Sequence, residues 1–125
     1  MENNIQIDFQ ILDTKLSPKE ITALLDIIPD DEIKKGARNT KLNLPRQNIW
    51  SLRSHTESDC VSDHWLELKS KLFHSHKLIK EIIETGKSKF TILFNSEARF
   101  PSIIIPPEMS KFAGYINAEI DIDSN

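Results

Sequence analysis

Cys60, Asp63 and His64 are the residues whose types and spacing come closest to a reactive cluster. Helix positions four apart lie side by side, and an imidazole one turn from a thiol can draw off its proton to leave a nucleophilic thiolate. Such chemistry also needs a group that orients the imidazole and donors for the developing oxyanion. The glycines that build many such donor loops are only Gly36, Gly86 and Gly114, scattered along the chain, and Trp65 beside the cluster sits at core spacing. The expectation is therefore that no residue is catalytic. His74 and His76 are two apart, a spacing that shares a face in a strand but not in the helix their surroundings indicate, so no metal site and no cofactor is expected. His64 and His74 read as solvated helix-surface histidines, with Glu67 as a carboxylate that only folding could bring to them.

Charge layout says more. Lys34, Lys35, Arg38, Lys41, Arg46 and Arg53 occur with no acidic residue between Lys34 and Thr56. At the other end of the chain Glu119, Asp121 and Asp123 alternate, which puts three like charges on one face of a strand. Both runs have the composition of solvated surface, and the loop cations have Asp30, Asp31 and Glu32 nearby in sequence as counter-charges. Both also suit contact with a partner of opposite charge. Direct nucleic-acid binding is not expected, because the net charge of the 125 residues is −3 and no aromatic side chain interleaves the basic run before Trp50.

The elements that must position these groups follow from periodicity. Ile5, Ile7, Phe9 and Ile11 alternate with Gln6, Asp8, Gln10 and Leu12, a half-buried strand. Ser17, Pro18 and Glu20 form a capping-box signature for a helix with Ile21, Leu24, Leu25 and Ile28 on one face, ended by Pro29. Asp30 to Gln47, punctuated by Gly36 and Pro45, reads as a long loop, in which Leu42 and Leu44 are the only hint of an edge strand. A strand over Asn48 to Ser54 holds Trp50 and Leu52 on one face.

Ser58 and Asp59 are N-cap candidates for a long helical stretch with Val61, Trp65, Leu68 and Leu72 in one stripe. It bends at His74 to His76, continues through Ile79, Ile82 and Ile83, and stops at Gly86. Strands are expected at Lys89 to Asn95 and Ser102 to Ile105, joined by a hairpin connection over Asn95 to Pro101. A short helix opened by Pro106 and Pro107 follows, and then a last strand with Ala118, Ile120 and Ile122 on one face. The result is one α+β domain over residues 1–125: a mainly antiparallel sheet of about five strands, helices packed on one face, and ferredoxin-like split βαβ elements. Both tryptophans are expected in its core.

The hydrophobic share of 38% with 28% charged residues is that of a folded globular protein. Cys60 is the only cysteine, so no internal disulfide is possible, and no apolar run approaches the length of a membrane span. The first eight residues lack the pattern of a signal peptide, and the cytoplasm is the expected compartment.

Taken in order, the run Leu16-Ser17-Pro18-Lys19-Glu20-Ile21-Thr22, the turn at Pro29, Gly36, the strand Trp50-Ser51-Leu52 and the closing Ala118-Glu119-Ile120-Asp121-Ile122-Asp123 resemble the bacterial domain of unknown function 4279 family. The chain departs from that pattern in ending Ser124-Asn125 with no aromatic residue after the last acid. The resemblance implies a compact α+β fold and no catalytic residues. Elimination and charge then lead to the expected function: a non-enzymatic protein-binding domain, an immunity protein that neutralises a toxin domain in a contact-dependent or polymorphic toxin system. Glu119, Asp121 and Asp123 are its first contact surface and Lys34, Lys35 and Arg38 the second. The alternatives are a small-ligand-binding or enzymatic domain using Cys60, His64 and the basic loop, or a housekeeping interaction domain.

Overall fold

The computed structural model describes residues 4–97 and 102–124. Its centre is strand β1 (Ile5–Leu12), whose Ile5, Ile7, Phe9 and Ile11 are buried on the helix side of the sheet. Strands β3 (Ile49–Arg53) and β4 (Lys87–Phe94) flank it, both antiparallel to it. The short β2 (Asp31–Ile33) pairs antiparallel with β3, and β5 (Glu119–Ser124) pairs parallel with β4, giving the order β2-β3-β1-β4-β5. Because β3 and β4 both run against β1, they are parallel to one another with β1 between them. That is a split βαβ unit, and its crossover is the long helical stretch.

The crossover consists of α2 (Val61–Leu72), a 3-10 turn (Phe73–Ser75) and α3 (His76–Ile83), so the bend falls at the polar triplet His74-Ser75-His76. Helix α1 (Pro18–Leu25) precedes β2, and α4 (Pro107–Ile116) links β4 to β5. The helices bury Ile21, Leu25, Trp65, Leu68, Leu72, Ile79 and Phe112 against the sheet. There Phe9 meets Phe90 at 4.7 Å between ring centroids and Trp65 meets Phe90 edge-on at 5.9 Å.

Four local expectations change. Ser102–Ile105 is not a strand: Ile103 and Ile105 pack on the core while Ile104 faces out, but β4 already has β1 on one edge and β5 on the other, so no ladder position remains beside it. The fifth strand is Asp31–Ile33, inside the segment expected to be loop; the bridge at Leu44 is isolated, to Asn39. Helix α1 ends at Leu25, where Asp26 turns left-handed (φ 55) and donates its amide to Thr22 O, which leaves Ile28 outside the helix and 89% exposed. The N-cap of α2 is Cys60 rather than Ser58 or Asp59. The proposed connection over Asn95 to Pro101 lies partly outside the described residues. The capping box does form, with Ser17 Oγ accepting from the Glu20 amide at 3.2 Å and Glu20 Oε1 accepting from the Ser17 amide at 3.0 Å.

Gly86 is required by close approach. A Cβ there would stand 2.3 Å from the Leu12 carbonyl oxygen and 2.8 Å from the Thr14 amide nitrogen, both rigid backbone at the end of β1. Gly86→Ala must push β1 and α3 apart and is expected to cost about 1–3 kcal/mol, the usual penalty of overpacking. A urea unfolding midpoint equal to that of the parent protein would refute this.

Candidate functional site

The Cys60-Asp63-His64 grouping comes apart in three dimensions. At the end of β3, Ser54 Oγ accepts from the Ile7 amide (2.9 Å) and lies 2.7 Å from His64 Nδ1, while His64 Nε2 lies 2.8 Å from the Ser58 carbonyl oxygen. A carbonyl can only accept, so Nε2 carries a proton, and in the neutral ring Nδ1 then accepts from the Ser54 hydroxyl. Both ring nitrogens are thus committed, and neither His64 nor Ser54 is exposed to solvent. His64 is a buried tie between α2 and the strands, not the solvated histidine expected, and has no nitrogen left for a thiol.

Cys60 is exposed; its amide donates to Ser58 Oγ (3.0 Å), which in turn donates to Asp63 (2.6 Å). Glu67 accepts from the His55 and Thr56 amides, both at 2.8 Å, and so holds the chain leading into α2. His74 is exposed, as expected, and His76 donates Nδ1–H to the Phe73 carbonyl at 2.7 Å. Among the described residues no group of three or more His, Cys, Asp or Glu side chains could hold a metal ion.

On the open face of the sheet, Arg53 binds Asp31 closely and has Asp8 at 3.8 Å. Burial pushes the Asp8 carboxyl above its ordinary pKa, against the Ser51 hydroxyl at 2.5 Å and the Arg53 charge, which pull it down. Arg53 rises above its ordinary value: burial opposes its charge, but the hydrogen bond to Asp31 and the charge of Asp8 outweigh that. Asp30 accepts from the Arg53 amide (2.6 Å) and contacts His55 Nε2 (2.6 Å), and Glu32 accepts from Thr22. Of the three acids nearest the basic run in sequence, Asp31 thus pairs with Arg53, the last cation of the run, while Asp30 contacts His55 and Glu32 binds Thr22.

That leaves Lys34, Lys35, Arg38, Lys41 and Arg46 exposed, with no ion pair among the described residues. Their loop is nevertheless well tied. Gly36 donates to the Pro45 carbonyl, Arg38 to the Leu44 carbonyl and Leu44 to the Asn39 carbonyl, each at 2.9 Å, and Lys35 donates to Asn48 Oδ1 at 2.7 Å. Leu42, at its tip, is 65% exposed.

The acidic residues lie at the opposite edge of the sheet. Glu119, Asp121 and Asp123 are exposed on β5, in register with Lys89, Thr91 and Leu93 of β4. Positive and negative surfaces thus occupy the two edges of one sheet, with β3, β1 and β4 between them.

A further site had not been expected. A cleft of about 390 Å³ opens on the helical side, lined by Trp65, Lys69, Phe73, His76, Glu108, Lys111, Phe112 and Tyr115. Phe73 is 52% and Tyr115 38% exposed, and the Phe73 ring stacks on His76 at 5.2 Å. Lys69 Nζ bridges to Glu108 at 2.7 Å, joining α2 to α4; this hydrogen bond and charge hold the Glu108 carboxyl below its ordinary pKa. Trp65 is itself buried, and its indole N–H lies near enough to Glu108 to favour the carboxylate, yet outside hydrogen-bond geometry, so Nε1 has no acceptor. The cleft joins residues from four helical segments up to 50 positions apart (65 to 115), a relation that no local spacing encodes.

Fold and sites together define a class: an α+β domain whose histidine, serine and carboxylate clusters largely brace the fold, with separated surface charge and an aromatic cleft. The chain belongs to the family described as Domain of unknown function (DUF4279), whose model matches residues 3–125, essentially its whole length. Neither a curated protein nor a solved structure matches it. Among the described residues no helix is long and apolar enough to cross a membrane.

Proposed function

We propose that the domain acts by binding another protein, as an immunity protein that occupies and silences a cognate bacterial toxin in the cytoplasm. The observation that carries this reading is the segregation of surface charge, without ion pairs among the described residues, to opposite edges of one sheet: five cations on the β2–β3 loop and three carboxylates on β5. Charge left exposed in this way accelerates encounter with an oppositely charged partner and orients the approach. The acidic edge suits the basic cleft of a toxin that attacks nucleic acid, and the loop is the second contact.

The test starts from a tagged protein expressed in its host, with the captured partner then purified. The association rate is expected to fall as salt rises, since added ions screen charge beyond about 8 Å at physiological ionic strength. Changing Glu119, Asp121 and Asp123 together to Ser is expected to slow association roughly tenfold with the melting temperature unchanged. Reversing Lys34, Lys35 and Arg38 to Glu is expected to matter less. An unaffected acidic-edge variant would exclude that surface, a larger loss in the loop variant would make the partner acidic, and failure to capture any protein would overturn the reading. The aromatic cleft favours a second reading, a small-ligand-binding domain.

A further inference from the structure

We infer that the cleft between α2, the 3-10 turn, the start of α3 and α4 is a binding site for a small planar aromatic anion, such as an aromatic carboxylate. The inference develops the small-ligand reading and does not depend on a protein partner. A volume of about 390 Å³ lies within the range of small-molecule sites, which are typically apolar with a few placed polar groups. Here the apolar part is aromatic. Phe112 packs on the Trp65 ring at 5.4 Å, and Phe73 and Tyr115 present half-exposed rings. Rings left open to water are the surfaces on which a flat ligand stacks.

Charge decides the sign of the ligand. Aromatic walls alone would equally suit a quaternary ammonium, which binds the π face. Cations already stand beside those rings: Lys69 Nζ is 5.7 Å from the Phe73 ring centroid and Lys80 Nζ 4.5 Å from that of Tyr115. With Lys111 there are three ammonium groups around the cleft and one lining carboxylate, Glu108, which is bound to Lys69. A cationic ligand would be repelled, whereas an anion gains a charge-assisted contact. The lining also includes Trp65, whose N–H the fold leaves without an acceptor; the only other such buried side-chain atom among the described residues is Ser88 Oγ.

The two tryptophans supply the experiment. Trp50 Nε1 already donates to Thr22 Oγ1 at 3.0 Å in the core and serves as the internal control. In nitrogen-15 correlation spectra of the full chain, assigned through Trp50→Phe, 2-naphthoate is expected to shift the Trp65 indole signal saturably while the Trp50 signal stays in place. The uncharged 2-naphthamide should bind roughly fivefold or more weakly, and benzyltrimethylammonium should not bind. Phe73→Ala and Lys111→Glu, both at exposed positions, should each weaken 2-naphthoate binding roughly fivefold. Should Phe73→Ala fail to fold, Lys111→Glu and the ligand series still decide the matter. No saturable Trp65 shift at millimolar 2-naphthoate, equal binding of the amide, or preferential binding of the ammonium would each overturn the assignment.

Discussion

Replacing Trp50 with Ala is expected to cost about 3–5 kcal/mol, a large part of the ~5–15 kcal/mol that holds a typical domain together. Its side chain is fully buried and meets Phe9 edge-on at 6.3 Å, and its N–H donates to Thr22 of α1. Truncation therefore opens a cavity between β3 and α1 and also strips a partner from Thr22. Trp65 provides the contrast. Its N–H has no acceptor, so Trp65→Phe gives up ring volume but no hydrogen bond, whereas Trp50→Phe gives up both. Trp50→Phe should be the more damaging by about 0.5–1.5 kcal/mol, the net worth of an internal hydrogen bond. Urea unfolding with unchanged slope tests both claims: a soluble, well-folded Trp50→Ala protein would mean that β3 does not need the indole, and equal midpoints for the two Phe variants would remove the hydrogen-bond argument.

The second large effect is expected at His64. His64→Ala leaves the buried Ser54 hydroxyl without its acceptor and the Ser58 carbonyl without its donor, and adds a cavity at the root of α2. The combined cost is about 2–4 kcal/mol. Cys60→Ala, at an exposed position, should stay within about 0.5 kcal/mol. Hydrogen exchange adds a local readout, because the Ile7 amide donates to Ser54 Oγ and should lose protection in the His64 variant. Any loss of function in His64→Ala should then track its loss of stability. A His64→Ala protein that unfolds at the parent midpoint but has lost function would reinstate the imidazole as a functional group.

Much of the fold was legible because its causes are local. Alternation of Ile5, Ile7, Phe9 and Ile11 indicates a strand with one buried face wherever that strand lies, and all four are buried. Ser17, Pro18 and Glu20 satisfy one another's backbone groups within a single turn, so the helix start needs no tertiary partner. Pro107 likewise opens α4, and the stripe from Val61 to Leu72 faces the core. His64 could have been placed too: it sits in that stripe between Val61, Trp65 and Leu68, and only its polarity argued for the surface.

The remainder depended on relations that no short window contains. Asp31–Ile33 is a strand because β3 offers it an edge, and three residues are too few for a period to register. Ser102–Ile105 has strand composition but cannot pair with β4 as a hairpin partner would, since β1 and β5 occupy both sides of β4. The loop cations have no ion pair among the described residues because Asp30, Asp31 and Glu32 bind His55, Arg53 and Thr22. The aromatic cleft exists because α4 packs beside α2 and α3, bringing Tyr115 to His76 at 5.3 Å and Phe112 to Trp65 at 5.4 Å. The sequence by itself determined periodicity, caps and the supply of charge, since those act between neighbours along the chain. Only the tertiary structure decided which polar groups were used up in bracing the fold and which stayed open, because a hydrogen bond or an ion pair belongs to whichever partner folding brings within reach.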